Sequence, residues 1–432
     1  MNELLSFDSD YLEGAHAEIL QRLVATNLEQ TAGYGLDTYS DAARAKIRRA
    51  CRSPHAEIHF LSGGTQTNRI VISSLLHPYE GVIATDTGHI TVHEAGAIEC
   101  GGHKVLALPH ADGKLTARAI ESCLRTYHED VNRDHMVRPG MVYLSHPTEY
   151  GTLYTMDELE VISAICRANK IPLFLDGARL AYALGCNANE LTLAAIAHLT
   201  DAFYIGGTKC GALFGEAVVF PKPDTVPHFF TIVKQNGALL AKGRVLGIQF
   251  DTLFTDGLYE RGGAHAVAMA NRIRTALIEK GYTHAIDSPT NQIFLALDAA
   301  QLGTLAHTGK HGVVNRHRRG RGAAVLADAL RALQLFQGDD LRVGRGFAGF
   351  GFGAGFFDNR LGGLAFEAAE FGFGDHRRVG RGRVRRGFGF GFAVFAVFRR
   401  FAFAGAGEFF FDDFLHALAY KFTDFLRSFC DS

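Results

Sequence analysis

The sequence has no excess charge of either sign. Its 44 Lys and Arg stand against 45 Asp and Glu, a formal net charge of -1. That balance argues against nucleic acid or an anionic membrane as the main partner. The seven cysteines contain no C-x-x-C pair. An odd count without that spacing argues against a disulfide framework or a thiolate zinc site, so no metal is expected and a reducing cytoplasm is the expected setting. The start, MNELLSFDSDYLEGAH, carries acids where a signal peptide has a basic start and an apolar core. No uninterrupted apolar stretch reaches bilayer-spanning length, and no membrane association is expected.

Two residues stand out in what is present. Asp176 and Lys209 sit in the segments IPLFLDGAR (171–179) and DAFYIGGTK (201–209). Each segment has an apolar run that stops at a polar residue, as a buried strand does at its tip. An acid at the tip of one strand and a lysine just past the next is what a pyridoxal phosphate site needs. The lysine holds the aldehyde as an imine, and the acid keeps the pyridine nitrogen protonated so that the ring accepts electrons. On these two residues alone, a surface lysine and a helix-capping aspartate are an equally good reading.

Two further segments add weight. IHFLSGGTQTNRIVISSLL (58–76) reads as strand, glycine turn and helix. A helix start preceded by glycine offers free N–H groups and a positive dipole end to a phosphate. Thr65, Gln66, Thr67 and Asn68 are good N-terminal residues for the apolar helix that follows. The turn lacks both the GxxxxGK[ST] loop of nucleotide hydrolases and the GxGxxG dinucleotide fingerprint. VIATDTGHITVHEAGAIECGG (82–102) reads as strand, loop and helix, with His89 in the loop. Open α/β sheets bind ligands at such a place, and an imidazole there can stack on a pyridine ring.

With these residues in hand, the chain from about Phe7 to Leu302 resembles the low-specificity L-threonine aldolases, a branch of the fold-type-I pyridoxal phosphate enzymes. The words that carry the resemblance keep its order and spacing. They are SDYLEGAH (9–16), TNLEQTAGYGLDTY (26–39), SGGTQTN (62–68), HEAGAIE (93–99), PTEYGTLY (147–154), LDGAR (175–179), GGTK (206–209) and KQNGALLAKGRVLGIQF (234–250). The resemblance implies retro-aldol cleavage of threonine-type β-hydroxy amino acids to glycine and an aldehyde, with pyridoxal 5'-phosphate as cofactor. It implies that Lys209 is the Schiff-base lysine, that Asp176 pairs with the pyridinium nitrogen, and that His89 stacks on the ring and takes part in proton transfer. Gly64, Thr65 and Gln66 would cradle the phosphate. Arg179 would lie near the ring hydroxyl or the substrate carboxylate, with Ser9 beside that carboxylate. Glu149 takes a place where some aldolases have a histidine near the substrate hydroxyl. Tyr34 and residues 234–244 resemble segments that reach a neighbouring active site, which implies a homodimer or homotetramer. Another fold-type-I amino-acid lyase, or a catalytically impaired pyridoxal phosphate binder, is the alternative.

Strands alternate with helical patterns to about residue 220, which predicts an α/β fold with a mostly parallel sheet covered by helices. Helices are expected at 38–51, 115–129, 156–169 and through most of 243–280. Strands are expected at 104–108, 141–145 and 293–297, the last opening a small C-terminal α/β domain. The expected division is a cofactor-binding large domain over 1–250, a connection over 251–302 and an atypical tail over 303–432. The tail is again defined by absence. It contains no Ile, Met or Pro, yet holds 23 of the 34 phenylalanines. Low-complexity text such as GFAGFGFGAGFF has no coherent core pattern. The tail is read as disordered or out of frame, a replacement for most of the small domain. A Gly/Arg/Phe segment that binds RNA is the competing reading. No tail arginine falls in the family motif that grips a substrate carboxylate.

Overall fold

The computed structural model describes residues 9–298, 300–301 and the strand Gly322–Leu326. All of these belong to the unit Met1–Gly344. The expected tail, 303–432, lies outside the described residues apart from that strand.

Seven strands form the main sheet: β1 (Glu57–Leu61), β2 (Glu80–Thr85), β3 (Val105–Leu108), β4 (Arg138–Ser145), β5 (Leu173–Asp176), β6 (Ala202–Gly206) and β7 (Glu216–Phe220). Their spatial order is β1-β7-β6-β5-β4-β2-β3. β7 runs antiparallel to both neighbours, while the pairs from β6 through β5, β4 and β2 to β3 are parallel. The mostly parallel sheet is therefore present, with one reversed strand. A second, antiparallel sheet joins β8 (Thr283–Ile286), β9 (Ile293–Leu297) and β10 (Gly322–Leu326) in the order β10-β9-β8.

The central strands are apolar at nearly every position because both faces are covered. Every residue of β5, β6 and β7 is buried. Strand pleating sends alternate side chains to opposite faces. Val142, Leu144, Leu173, Leu175, Phe203 and Ile205 enter one core. Met141, Tyr143, Phe174, Ala202 and Tyr204 enter the other.

Local signals set several helices. Thr155 accepts from the Glu158 backbone and the Glu158 side chain returns to Thr155, a capping box that starts Met156–Asn169. Asp37 caps Thr38–Ala50 by accepting from Ser40. The expected helical stretch over 243–280 is two helices, Arg244–Leu253 and Leu258–Glu279, joined through the left-handed Gly257. Among the described residues, no helix is long and apolar enough to cross a membrane.

Candidate active site

The parallel strands deliver polar residues to one edge of the sheet. Ser145 and Asp176 end β4 and β5 and are register partners. Gly206 ends β6, and Lys209 follows three residues later. Carboxyl ends of parallel strands are where such sheets bind ligands.

Two glycines let the chain pass closely here. A Cβ on Gly177 would lie 2.1 Å from the Tyr204 carbonyl oxygen, and one on Gly206 would lie 2.3 Å from that of Ala178. The Gly206 N–H donates to the Gly177 carbonyl at 2.9 Å. The residues before Lys209 are clamped from β7. Gly207 and Thr208 both donate their backbone N–H to the Gly215 carbonyl, at 2.9 and 3.1 Å. They also bond the Glu216 carboxylate, through the Gly207 N–H at 3.0 Å and the Thr208 hydroxyl at 2.8 Å. The Tyr182 hydroxyl donates to the Lys209 carbonyl. Burial pushes the Glu216 carboxyl up to about 8, against these hydrogen bonds and the nearby Lys209 charge.

Asp176 is buried and meets four donors. Oδ1 accepts from Tyr204 Oη at 2.5 Å and Ala178 N at 2.9 Å. Oδ2 accepts from Tyr143 Oη at 2.5 Å and Asn68 Nδ2 at 3.0 Å. The tyrosines stand on β4 and β6, on either side of β5, and alternation puts all three side chains on one face. Burial first, then the Asp176 charge, pushes both phenols well above their ordinary value, so they stay as donors. The same Asn68 nitrogen donates to Glu94 Oε1 at 2.7 Å, and His89 Nδ1 lies 2.7 Å from that oxygen.

His89 departs from its expected setting. It opens a four-residue helix, His89–Val92, rather than lying in a loop. One helical turn is too short to register as periodicity in sequence. Its backbone N–H donates to Glu149 Oε1 at 2.8 Å, and Ser145 Oγ donates to the same oxygen at 2.6 Å. Burial pushes the Glu149 carboxyl up from its ordinary value, although these hydrogen bonds oppose it.

The helix Gly64–Leu75 begins beside this group, with Gly63 extended before it and offering no side-chain cap. A Cβ on Gly63 would meet nothing within 4 Å, so the space at that terminus is open. Thr65 is exposed there. The Gln66 carboxamide oxygen turns back to accept from Ser62 Oγ at 2.9 Å.

Arg179 follows β5 and is engaged side-on by Asp10, Nε to Oδ2 at 2.6 Å and Nη2 to Oδ1 at 3.3 Å. Asn291, from the β8–β9 connection, donates to Asp10 Oδ2 at 3.4 Å. Burial raises the Asp10 carboxyl, but the Arg179 and Lys209 charges outweigh it and hold the group below its ordinary value. Ser9 precedes it, partly buried. Lys209 Nζ lies 5.9 Å from the Tyr11 ring centroid, so the N-terminal segment reaches the lysine. Tyr34 packs instead under Lys234, whose Nζ is 4.8 Å from its ring centroid. Cys210 is a buried thiol pushed up to about 12 by burial, and its Sγ donates to the Ala178 carbonyl at 3.6 Å.

These residues fit a phosphorylated pyridine aldehyde. There is an amine, a carboxylate beyond it, and a bare helix start. The pocket also has surplus acceptors: Asn68 Oδ1 and Glu94 Oε2 are buried with no hydrogen-bond partner among the described residues. A cationic ring suits such surroundings. Sequence reading missed Asp10, Asn68, Glu94, Tyr143, Tyr204 and Glu216. Glu94 lay inside the motif HEAGAIE and Asp10 beside Ser9, so both were visible as polar residues in quoted words. Their partners were not.

Residues 6–336 match the family model for beta-eliminating lyases. A low specificity L-threonine aldolase from a Pseudomonas species is 31% identical over 309 residues, covering 70% of this chain and 87% of the relative. The Pseudomonas aeruginosa protein of that name is 30% identical over the same shares. The solved structure of a Leishmania major threonine aldolase aligns with a TM-score of 0.72 at 45% identity, covering 76% of this chain and 95% of that one. An aspartate aminotransferase from Thermus thermophilus shares the fold at 13% identity and a TM-score of 0.53, over 68% of this chain and 77% of that one.

Proposed function

We propose, because the chain belongs to the beta-eliminating lyase family, that it cleaves threonine and related β-hydroxy amino acids to glycine and an aldehyde, using pyridoxal 5'-phosphate. The observation that carries this reading is the meeting of Lys209, Asp176 and the open helix start at Gly64 on one sheet edge. When bound, the cofactor supplies an electron sink for the pair left at Cα as the Cα–Cβ bond breaks.

The rest is work for the chain's own residues. The Lys209 amine would hold the cofactor's aldehyde. Asp176, fixed by two phenols and an amide, holds a proton on the ring nitrogen by its charge. His89 covers a ring face. The N–H groups of Gly64, Thr65 and Gln66 bind the phosphate at the positive end of the helix. Arg179 grips the substrate carboxylate, with Ser9 beside it. Asp10 orients the guanidinium by taking its Nε and Nη2 edge. Glu149 removes the proton from the β-hydroxyl. A carboxyl whose pKa burial has raised suits that task, because it is a stronger base than an exposed one. Tyr34 and the segment around Lys234 serve the site of a second subunit in a homodimer or homotetramer, and the enzyme works in the cytoplasm.

The test is one purification and two assays. The protein with pyridoxal 5'-phosphate should show a lysine-imine absorbance band that changes on adding threonine, with glycine and acetaldehyde released. Pyruvate and ammonia from other amino acids, without glycine from threonine, would replace this reading by β-elimination. A protein that forms no band would lose the cofactor assignment.

A further inference from the structure

Glu94 is an unusual residue for its place. Its side chain is fully buried, and both bonds to Oε1 are short: Asn68 Nδ2 and His89 Nδ1 each lie at 2.7 Å. Burying a carboxylate costs several kcal/mol unless such charge-assisted bonds offset it. The backbone beside it is also strained. Ala95 takes a left-handed φ of 51° and Gly96 follows at 71°. Packing alone does not call for a carboxylate here, since an apolar side chain fills such a position at lower cost.

The bonding pattern assigns the hydrogens. An amide nitrogen is always a donor, so Oε1 is already an acceptor for Asn68. The ring nitrogen of His89 facing that same oxygen is then the donor. Proton exchange at this imidazole is left to Nε2. The Asn68 amide spends its two hydrogens on two carboxylates, Glu94 and Asp176. A flipped amide would set its oxygen against both. The bonds run as a chain of side chains and one backbone N–H: Asp176, Asn68, Glu94, His89, Glu149 and Ser145.

We propose that Glu94 is a positioning residue that fixes the His89 proton on Nδ1 and, through Asn68, locks that ring to the Asp176 carboxylate. The part of this inference that concerns turnover rests on the aldolase reading above. The part that concerns the imidazole does not.

The experiment is ¹⁵N NMR of histidine-labelled full-length protein without cofactor, with the His89 signals assigned by their loss in His89→Asn. Wild type should show a protonated Nδ1 at His89. In Glu94→Ala the Nδ1 signal should move toward the unprotonated position, and in Asn68→Ala it should stay. A wild-type Nδ1 without a proton overturns the proposal, whatever the variants do, and so does an unmoved signal in a folded Glu94→Ala. A Glu94→Ala that does not fold leaves the wild-type tautomer as the deciding result. In the loaded protein, Glu94→Gln keeps the size and removes the charge. It should lower kcat for threonine by about 10- to 100-fold, the scale for losing a partner that orients a functional imidazole, with KM little changed. A Glu94→Gln with unchanged kcat and an unchanged cofactor band overturns the link to the site. Failure of the aldolase reading would appear separately, as wild type with no band and no glycine.

Discussion

Lys209 stands between two groups of polar side chains that are built in different ways. On the ring side, Tyr143, Asp176 and Tyr204 come from three adjacent strands, and the phenols meet Asp176 at 2.5 Å each. On the substrate side, Arg179 is held by Asp10 near the start of the described chain and Asp10 in turn by Asn291 near its end, at 2.6 to 3.4 Å. Sheet register fixes the first group, because a strand shifted by one residue would turn every one of its side chains to the other face. The second group depends on two coil segments docking over the sheet. The first group is set by strand pairing alone, and the second by where coil residues meet the sheet.

The strongest way to break this comparison removes the residue both sides share. Lys209→Ala should abolish the cofactor absorbance band and cut turnover by on the order of 10³-fold or more, the scale for deleting a covalent catalytic group. A persistent band would move the amine elsewhere. Glu149→Gln comes next. Its carboxyl touches His89 and Ser145 at 2.8 and 2.6 Å, and the amide keeps that shape without the charge. Aldehyde release from threonine should fall by about 10²- to 10⁴-fold, while the cofactor band persists. A loss of the band with the activity would make Glu149 part of the ring pocket rather than the proton acceptor.

The same contrast explains what could be read from the sequence. The helix Met156–Asn169 and the strand Ile293–Leu297 were legible to the residue, because a capping box and an unbroken apolar run are local signals. The strand ends at Asp176 and Gly206 were legible for that reason too. The reversal of β7 was not, since strand direction is set by the connections and not by the run EAVVF itself. His89 was assigned to a loop because four helical residues carry no period. Glu94, Asp10 and Glu216 each look like ordinary surface acids in their own segments. What sets them apart is a partner 26, 169 or 9 positions away: Asn68 for Glu94, Arg179 for Asp10 and Gly207 for Glu216. Such pairings are tertiary facts.

A smaller effect tests the coil-built side. Asp10→Asn keeps the volume but weakens the fork that orients Arg179. Hydrogen bonds to charged groups contribute about 1.5–3 kcal/mol, so KM for threonine should rise by about 10- to 100-fold. The value of kcat should change less than KM, because Asp10 bonds Arg179 and Asn291 and acts on Lys209 only through its charge. A fall in kcat with constant KM would show that the two groups are not separate after all.

The mildest test concerns stability and sharpens the contrast through pH. Asp10 and Glu216 are both buried carboxylates near Lys209, yet their shifts have opposite signs. Asp10 is held below its ordinary 3.8 despite burial, chiefly by Arg179, so its stabilisation is present above that pH and fades only as pH falls further. Glu216 is raised from 4.5 to about 8 by burial. Between those values the folded protein holds a proton that the unfolded chain has released. Stability therefore falls as pH rises through that window, by on the order of 1.4 kcal/mol per pH unit from this group. Glu216→Gln cannot ionise and should lose that component, so denaturant midpoints measured from about pH 5 to about pH 8 should decline less than in wild type. Glu149, raised by the same cause, keeps some slope of the same sign in the variant. Equal slopes in the two proteins would mean that water reaches the Glu216 carboxylate, and that the clamp on Gly207 and Thr208 is not the dry one its burial implies.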